Sequence, residues 1–397
     1  MDNKNFLIYL SILSLYCFKC CVSRDRVRYV ADAFDYHTIE QEILRLMGFP
    51  EISDSQSKAP VRKRSAPDFM LEIYNDQTSK NQFNVSDINR RMTAKSDVII
   101  SFMAEQPHSD GEKPERVRRM WFDVSGIAKE NDFLYGELRL YRSIEGLRRK
   151  HLRPHKIVVD KVYRDKFHEK QFEEIASVVI TANFEGWITL NITSAFRRWL
   201  EHPRENRGIR VLTFPTEREN KRVKAENMGI VGFDGAEEEQ PFITGYFKNI
   251  NNNKIRMKIK DIIYRNKRLK RSAPLSVDTF THRQLNRPVS TYVGECERRN
   301  YHVNFKDIKW HEWIIAPEGY DMYFCDGKCT FPLTTTANAT NYAVTLSLYH
   351  KIHPDKVPEP CCVATKLSPI QLLYFENENR VVYKKYTSMV VDGCGCR

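Results

Sequence analysis

Cysteine is the residue type whose number and spacing carry the clearest chemistry in this chain. Seven of the ten cysteines lie between Cys296 and Cys396, and the stretch from Arg24 to Glu295 contains none. Such segregation is typical of a small domain built on disulfide bonds in an oxidising compartment. The pattern is Cys296, CDGKC at 325–329, CC at 361–362 and CGC at 394–396. Since this spacing differs from common C-x2-C zinc modules, we expect disulfides and no metal or other cofactor.

The vicinal pair Cys361–Cys362 adds a prediction about assembly. Successive side chains of a strand point to opposite faces, so these two cysteines cannot both face inward. Because seven is an odd number, one cysteine remains for a second chain, and we predict a covalent dimer. The spacing leaves the other connections open, since six cysteines allow 15 pairings.

A repeated pentapeptide, KRSAP, points to proteolytic processing. Its second copy follows two overlapping Arg-x-Lys-Arg tetrads, at 265–268 and 268–271. The acidic cleft of a furin-type convertase binds such side chains on an extended segment. The predicted recognition residues are Arg265, Lys267, Arg268, Lys270 and Arg271. The alternative is a solvated basic linker.

The first copy of KRSAP predicts a weaker site. Val61 stands where the fuller motif has Arg, within the segment SDSQSKAPVRKRSAP. We expect this Pro- and Ser-containing segment to be an exposed loop, with a secondary cut after Arg64.

The N-terminal segment has the features of a secretory signal peptide. Lys4 is followed by an apolar run at 6–16 and a small-residue site that ends at Ser23. This run is too short to span a bilayer, so we expect a secreted, extracellular product, with a buried N-terminal helix as the alternative. Three sequons fit secretion, at Asn84, Asn191 and Asn338.

The net charge of +12 does not indicate nucleic-acid binding. From Ser272 onward there are 14 Lys and Arg against 13 Asp and Glu, which leaves +1. The upstream excess is scattered and carries no nucleic-acid motif. Attachment to acidic extracellular polysaccharide is compatible with this charge.

Several elements must position the cysteines. The predicted C-terminal strands are WIIAP, DMYF, IQLLYF, RVVYKKY and SMVV, and NYAVTLSLYHKIHP is a predicted helix that ends by Pro354. Upstream, DVIISF, FLYGELRLYR, KIVVDKVYR, ASVVITAN and GIRVLTF are predicted strands of a sandwich. A further predicted helix ends at Gly48 and Pro50, and its apolar face consists of Ile39, Ile43, Leu46 and Met47.

The segment from Cys296 to Arg397 resembles the mature domain of the transforming growth factor-β superfamily, bone morphogenetic protein branch. APEGY, FPL…NATN and VPEPCC resemble the group that contains glass bottom boat and bone morphogenetic proteins five to eight. The ending MVVDGCGCR also suits the neighbouring two-and-four group. Upstream, RSAPDFMLEIYN, FDVSGI and QPFITGYFK resemble that group's prodomain.

This resemblance implies a division of the chain and a disulfide pattern. It implies a signal peptide at 1–23, a propeptide at 24–271 and a flexible tail at 272–295, before a small, mostly β cystine-knot domain with one helix at 296–397. The propeptide would be α+β, with a helical segment at 24–60, a β-sandwich-like arm at 61–264 and the convertase site at 265–271. The implied bonds are Cys296–Cys362, Cys325–Cys394 and Cys329–Cys396, with Cys361 between chains. Gly327 and Gly395 would leave room inside the ring of the knot.

The resemblance also implies two receptor surfaces. The wrist, which binds type I receptors, corresponds to Trp310, Trp313, Phe331, Pro332 and Leu333, with Tyr386 and Met389 from the partner chain. The knuckle, which binds type II receptors, corresponds to Ala316, Gln371, Leu373 and Tyr383. Ordinary core packing is the alternative for both groups. The mature helix would pack into the concave face of the second copy. The propeptide helix would lie on the wrist or, alternatively, be buried within the propeptide.

The resulting prediction is a growth factor that brings two kinds of receptor serine/threonine kinase together and triggers Smad signalling. Expected partners are a second copy or a related chain, the propeptide, the convertase and secreted antagonists. A zymogen is one alternative, but HEWII at 311–315 lacks the second His of a zinc protease, so we predict no enzyme. A cystine-knot antagonist that binds other growth factors is another.

Overall fold

The structure is a computed structural model of the 397-residue chain. It describes Gln41, Leu44, Arg45, Phe49 and residues 65–78, 86–106, 118–127, 131–167, 169–217, 221–249, 294–333 and 337–397. Several sequence predictions lie outside the described residues: the signal peptide at 1–23, Ile39, Ile43, Leu46, Met47, Arg64, Asn84, the convertase site at 265–271 and the tail up to residue 293.

Four α-helices have both ends within the described residues. They are α1 (Ser65–Thr78), α2 (Asp87–Lys95), α3 (Thr193–Glu201) and α4 (Asn341–Ile352). The upstream strands are β1 (Val98–Met103), β2 (Arg118–Met120), β3 (Asn131–Arg142), β4 (His155–Arg164), β5 (Lys170–Ile180), β6 (Gly186–Asn191), β7 (Ile209–Pro215) and β8 (Phe242–Asn249). The C-terminal strands are β9 (Glu297–Arg299), β10 (His302–Asn304), β11 (Ile314–Ala316), β12 (Gly319–Asp321), β13 (Phe324–Asp326), β14 (Cys362–Asn377) and β15 (Arg380–Cys396). Short 3-10 helices occupy Arg149–His151, Pro203–Glu205, Ala225–Met228 and Trp310–Glu312.

One antiparallel sheet joins the upstream and C-terminal parts of the chain. Its strand order is β11-β14-β15-β1-β8-β3-β6, so β1 lies between the C-terminal hairpin and the upstream strands. All six side chains of β1, VIISFM, are buried. Both faces of this strand are covered, which explains why its sequence is apolar at every position except Ser101 instead of alternating.

A second sheet, in the order β2-β7-β4-β5, faces the upstream part of the first. Leu138 and Leu140 of β3 share one core with Val159 of β4 and Val211 of β7. The helix α3 inserts Phe196 and Trp199, both almost fully buried, into the same core. The upstream part is therefore α+β with a sandwich-like arm, as predicted, and each of the five upstream strand predictions coincides with a strand.

Among the residues described from 294 onward, the chain is mostly β with one α-helix, as predicted. Thr340 caps the start of α4 by accepting a hydrogen bond from the amide of Ala343, and the helix ends before Pro354. The prediction that DMYF forms one strand was wrong: β12 ends at Asp321 and β13 begins at Phe324, because Tyr323 has a positive φ of 53°. RVVYKKY and SMVV lie in the single strand β15, which is irregular around Ser388.

The prediction that SDSQSKAPVRKRSAP is an exposed loop was also wrong for its last three residues, 65–67. Ser65, Ala66 and Pro67 are buried and begin α1. Proline is tolerated there because the first turn of a helix has no intrahelical partner for its amides. Ser65 is held by its amide, which donates to the carbonyl of Glu237 at 3.0 Å, and by its hydroxyl, which donates to the carbonyl of Gln240 at 2.6 Å. Among the described residues, no helix is both long and apolar enough to span a bilayer.

Candidate functional site

Three disulfides form the centre of the C-terminal domain. They join Cys296 to Cys362, Cys325 to Cys394 and Cys329 to Cys396, with Cα–Cα distances of 5.4, 5.7 and 5.8 Å. These are the pairs that the family resemblance implies. The sulfurs of Cys296, Cys329 and Cys396 lie within 4.8 Å of one another. Since each is already bonded to another cysteine, this cluster is a knot core rather than a metal site.

The two glycines of the ring make room for different parts of the chain. A Cβ on Gly327, where φ is 116°, would lie 2.2 Å from the carbonyl oxygen of Glu295. Glycine is therefore required where the chain leading to Cys296 passes. A Cβ on Gly395 would instead meet the carbonyl oxygen of Asn338 at 2.6 Å. Gly395 thus makes room for the loop before α4 and not for the threading bond.

An aromatic side chain from the N-terminal part of the chain lies on the wrist. Phe49 is 5% exposed. Its ring centre is 5.0 Å from that of Trp313 and 4.6 Å from that of Tyr386, with which it stacks. Trp310 and Tyr374 complete the contact at 5.9 and 5.3 Å. Such aromatic pairs stabilise a contact beyond the area they bury.

The structure brings only part of the predicted wrist together. Trp310, Trp313 and Tyr386 meet around Phe49 within one chain, and Met389 packs against the same core. The predicted loop lies elsewhere: Leu333 packs against the knot, while Phe331 and Pro332 are exposed.

Helix α1 covers the knuckle. Ala316, Leu373 and Tyr383 are buried in one cluster with apolar side chains of the helix, and Gln371 is partly buried. The helix contributes Ala66, Phe69, Met70 and Ile73 to this cluster, with Tyr74 packed against it. The ring centres of Tyr74 and Tyr383 are 6.4 Å apart, edge to face. Burial and the nearby Tyr74 raise the pKa of the Tyr383 hydroxyl, so it remains a neutral phenol.

Between these two covered surfaces, β1 pairs directly with β15. The register runs from Val98 opposite Lys384 to Phe102 opposite Arg380. Lys384 lies on the wrist side, with its amino group 4.6 Å from the centre of the Tyr386 ring. Burial lowers the pKa of Lys384 to about 8, although Glu376 opposes this shift.

Comparison with known proteins identifies the two halves of this arrangement. Residues 26–246 match the TGF-beta propeptide family, and residues 295–396 match the transforming growth factor beta like domain. The chain belongs to the transforming growth factor-β family. Its knot, its paired β14 and β15 and its helix α4 are thus the growth-factor domain, and the segments on the wrist and knuckle belong to the propeptide.

Curated relatives place the chain in the bone morphogenetic protein branch of the transforming growth factor-β family. It is 30% identical to Protein 60A of Drosophila melanogaster, over 90% of this chain and 86% of that protein. It is also 30% identical to human Bone morphogenetic protein 8A, over 90% and 89% of the two chains. The Protein DVR-1 homolog of Strongylocentrotus purpuratus is 30% identical, over 86% and 76%. The chain is therefore a growth-factor precursor, and the family's members are ligands rather than enzymes.

The remaining predicted sites of this family member differ in their exposure. Asn191 and Asn338 are exposed, and the Asn191 side chain accepts a hydrogen bond from the Thr193 hydroxyl of its own sequon at 2.6 Å. Cys361 exchanges both backbone hydrogen bonds with Arg397, next to the knot. Cleavage after Arg64 stays a prediction. The residue that follows it, Ser65, is 3% exposed.

Sequence reasoning missed two parts of the propeptide that cover the predicted receptor surfaces, Phe49 and helix α1. Phe49 stands between Gly48 and Pro50, which were interpreted only as the end of a helix. The signal for α1 was present at residues 66, 69, 70, 73 and 74, which follow the i, i+3, i+4, i+7, i+8 spacing of an apolar helix face. The preceding Pro and Ser residues hid it because they favour loops.

Proposed function

We propose that this protein is the precursor of a secreted, disulfide-linked growth factor whose propeptide covers the wrist and the knuckle until cleavage and release. A furin-type convertase cuts at 265–271. The freed dimer then binds type I and type II receptor serine/threonine kinases and triggers Smad phosphorylation. The ligand performs no chemistry itself. Once one receptor is bound, the dimer raises the effective concentration of the next at the membrane.

The observation that carries the proposal is that propeptide residues cover residues assigned to both receptor surfaces. Trp313 is 5% exposed beneath Phe49, and Leu373 is 0% exposed beneath α1. Tryptophan, as at Trp313, is a typical hot spot of protein interfaces. A receptor that binds these side chains must first displace the propeptide. The propeptide and the receptors therefore cannot occupy these surfaces at the same time.

Dimer formation is supported by the surface of α4. Five large apolar side chains of this short helix are exposed: Tyr342, Val344, Leu348, Tyr349 and Ile352. An apolar surface of this kind marks an interaction site. We assign it to the concave face of a second copy, with Cys361 forming the covalent link.

The proposal is tested with the purified mature dimer and a precursor that cannot be cut, which carries Arg268→Ala and Arg271→Ala. The dimer is expected to bind both receptor ectodomains and to cause Smad phosphorylation in responsive cells. The uncut precursor is expected to do both more weakly. If the mature dimer instead blocks another growth factor and causes no Smad phosphorylation, the protein is an antagonist and the proposal is wrong.

A further inference from the structure

The turn between β14 and β15, residues Glu376–Arg380, is here called the fingertip. It lies at the end of the hairpin opposite to the knot, because β14 begins at Cys362 and β15 ends at Cys396. We propose that the fingertip is a docking site for propeptide loop 122–127, and that Arg380 determines how long the cut propeptide stays on the mature dimer. This inference rests on the proposed function, since it concerns the release step of that mechanism.

The Arg380 side chain is 9% exposed and binds mainly to the propeptide. Its Nη2 donates hydrogen bonds to the carbonyl oxygens of Asp123 at 3.0 Å and Ser125 at 2.9 Å. Its guanidinium carbon lies 5.0 Å from the centre of the Phe102 ring in β1. Hydrogen bonds from a charged donor are about twice as strong as neutral ones. Arg380 therefore connects the fingertip to both a strand and a loop of the propeptide.

The loop is shaped to present these carbonyl groups. The amide of Ser125 donates to Oδ1 of Asp123 at 2.9 Å, which forms a local turn. Gly126 follows with a φ of 76°, a conformation that residues with a Cβ rarely adopt. The sequence FDVSGI thus has a physical role: it directs the carbonyl oxygens of Asp123 and Ser125 toward one guanidinium.

The neighbouring fingertip residue strengthens the docking. The carbonyl of Asn379 accepts a hydrogen bond from the amide of Met103 at 2.9 Å. Its side-chain amide donates to Oε1 of Glu105 at 2.9 Å. The propeptide therefore contacts two consecutive fingertip residues, Asn379 and Arg380, through both backbone and side-chain groups.

The arrangement also permits release. Nη1 of Arg380 donates to Oε2 of Glu376, on the same hairpin, at 2.6 Å. This ion pair stays with the mature domain when the propeptide leaves, so no unpaired buried charge results. Lysine at position 380 keeps a positive charge for Glu376, but its single amino group lacks the planar fork that reaches two carbonyl oxygens and a carboxylate together.

The test compares cut complexes made from full-length chains that carry Arg380→Ala, Arg380→Lys or the control Lys385→Ala. Lys385 is exposed in the same strand. The measurement is the rate at which the propeptide dissociates from the immobilised mature dimer. We expect about tenfold or faster release for Arg380→Ala, a smaller increase for Arg380→Lys and no change for Lys385→Ala. Equal rates in all variants would overturn the inference.

A propeptide variant, Gly126→Ala, keeps the inference testable if an Arg380 variant does not fold. Its Cβ has space near Arg380, but the positive φ is strained, so the two carbonyl groups should shift and release should again be faster. Release at the wild-type rate would count against the docking site. Receptor binding by the free wild-type dimer separates the two hypotheses. If that binding fails, the proposed function is wrong; if it succeeds while retention is unchanged, only the fingertip inference is wrong.

Discussion

Replacing Phe49 with alanine should open the wrist of the uncut precursor to type I receptors. Phe49 is 5% exposed and reaches the wrist from a segment more than 250 residues upstream of Trp310 in the chain. Three ring centres lie within 5.3 Å of its own, those of Trp313, Tyr374 and Tyr386. The substitution removes the entire ring from this contact.

The size of the effect follows from the burial of that ring. A buried Phe→Ala change costs about 3–5 kcal/mol, because it removes apolar contact and leaves a cavity. Each 1.4 kcal/mol corresponds to a factor of about ten in an equilibrium constant. The fraction of precursor with an open wrist should therefore rise by roughly two to three and a half orders of magnitude. Helix α1 and strand β1 still hold the propeptide, so the change stays local to the wrist.

The assay is the affinity of a soluble type I receptor ectodomain for uncut precursors. The matched control is Phe167→Ala, which removes a propeptide phenylalanine that is 73% exposed. Tighter receptor binding by Phe49→Ala alone supports the reasoning. If the Phe49→Ala precursor binds no more tightly than wild type, Phe49 does not shield the wrist, and the assignment of that surface is refuted.

Three further predictions concern the other covered surfaces and the dimer. Ile73→Asp should weaken α1 and increase binding of a type II ectodomain to the uncut precursor, whereas Gln77→Asp, an exposed change on the same helix, should not. Burial in the precursor lowers the pKa of Lys384 to about 8. We expect departure of the propeptide to expose this side chain and raise its pKa, so that the complex binds fewer protons than the separated chains. Retention of the cut propeptide should then strengthen from about pH 8 towards the ordinary lysine pKa of about 10.5 and stay nearly constant below about pH 7. Lys384→Met should remove this pH dependence and tighten retention at neutral pH, by at most about 3 kcal/mol, as measured by dissociation rates across the pH range. Cys361→Ser should abolish the halving of apparent mass that reduction causes in the secreted C-terminal fragment, and a persistent covalent dimer in that variant would contradict the assignment.

The parts of the fold that depend on local patterns were predictable from the sequence. The strand β1 is apolar at every position except Ser101, and α4 has both an N-terminal cap and Pro354 beyond its end. The pairing of β1 with β15 was not predictable, because a strand buried on both faces does not specify which edge it joins. The same limit applies to Phe49, since its partners Trp313 and Tyr386 are distant in sequence and nothing local to Gly48–Pro50 indicates them.

The small growth-factor domain has apolar surfaces and a strand edge that would be exposed to solvent without the propeptide. Its hairpin has an apolar surface on each side, and removal of β1 would leave the backbone groups of β15 along 380–384 without their strand partner. An uncovered strand edge promotes non-specific association, which proteins avoid by pairing or covering it. In the precursor, the propeptide supplies the strand, the helix and Phe49 together. If receptors use the covered surfaces as proposed, the propeptide must bind tightly enough to protect the domain and weakly enough to be displaced.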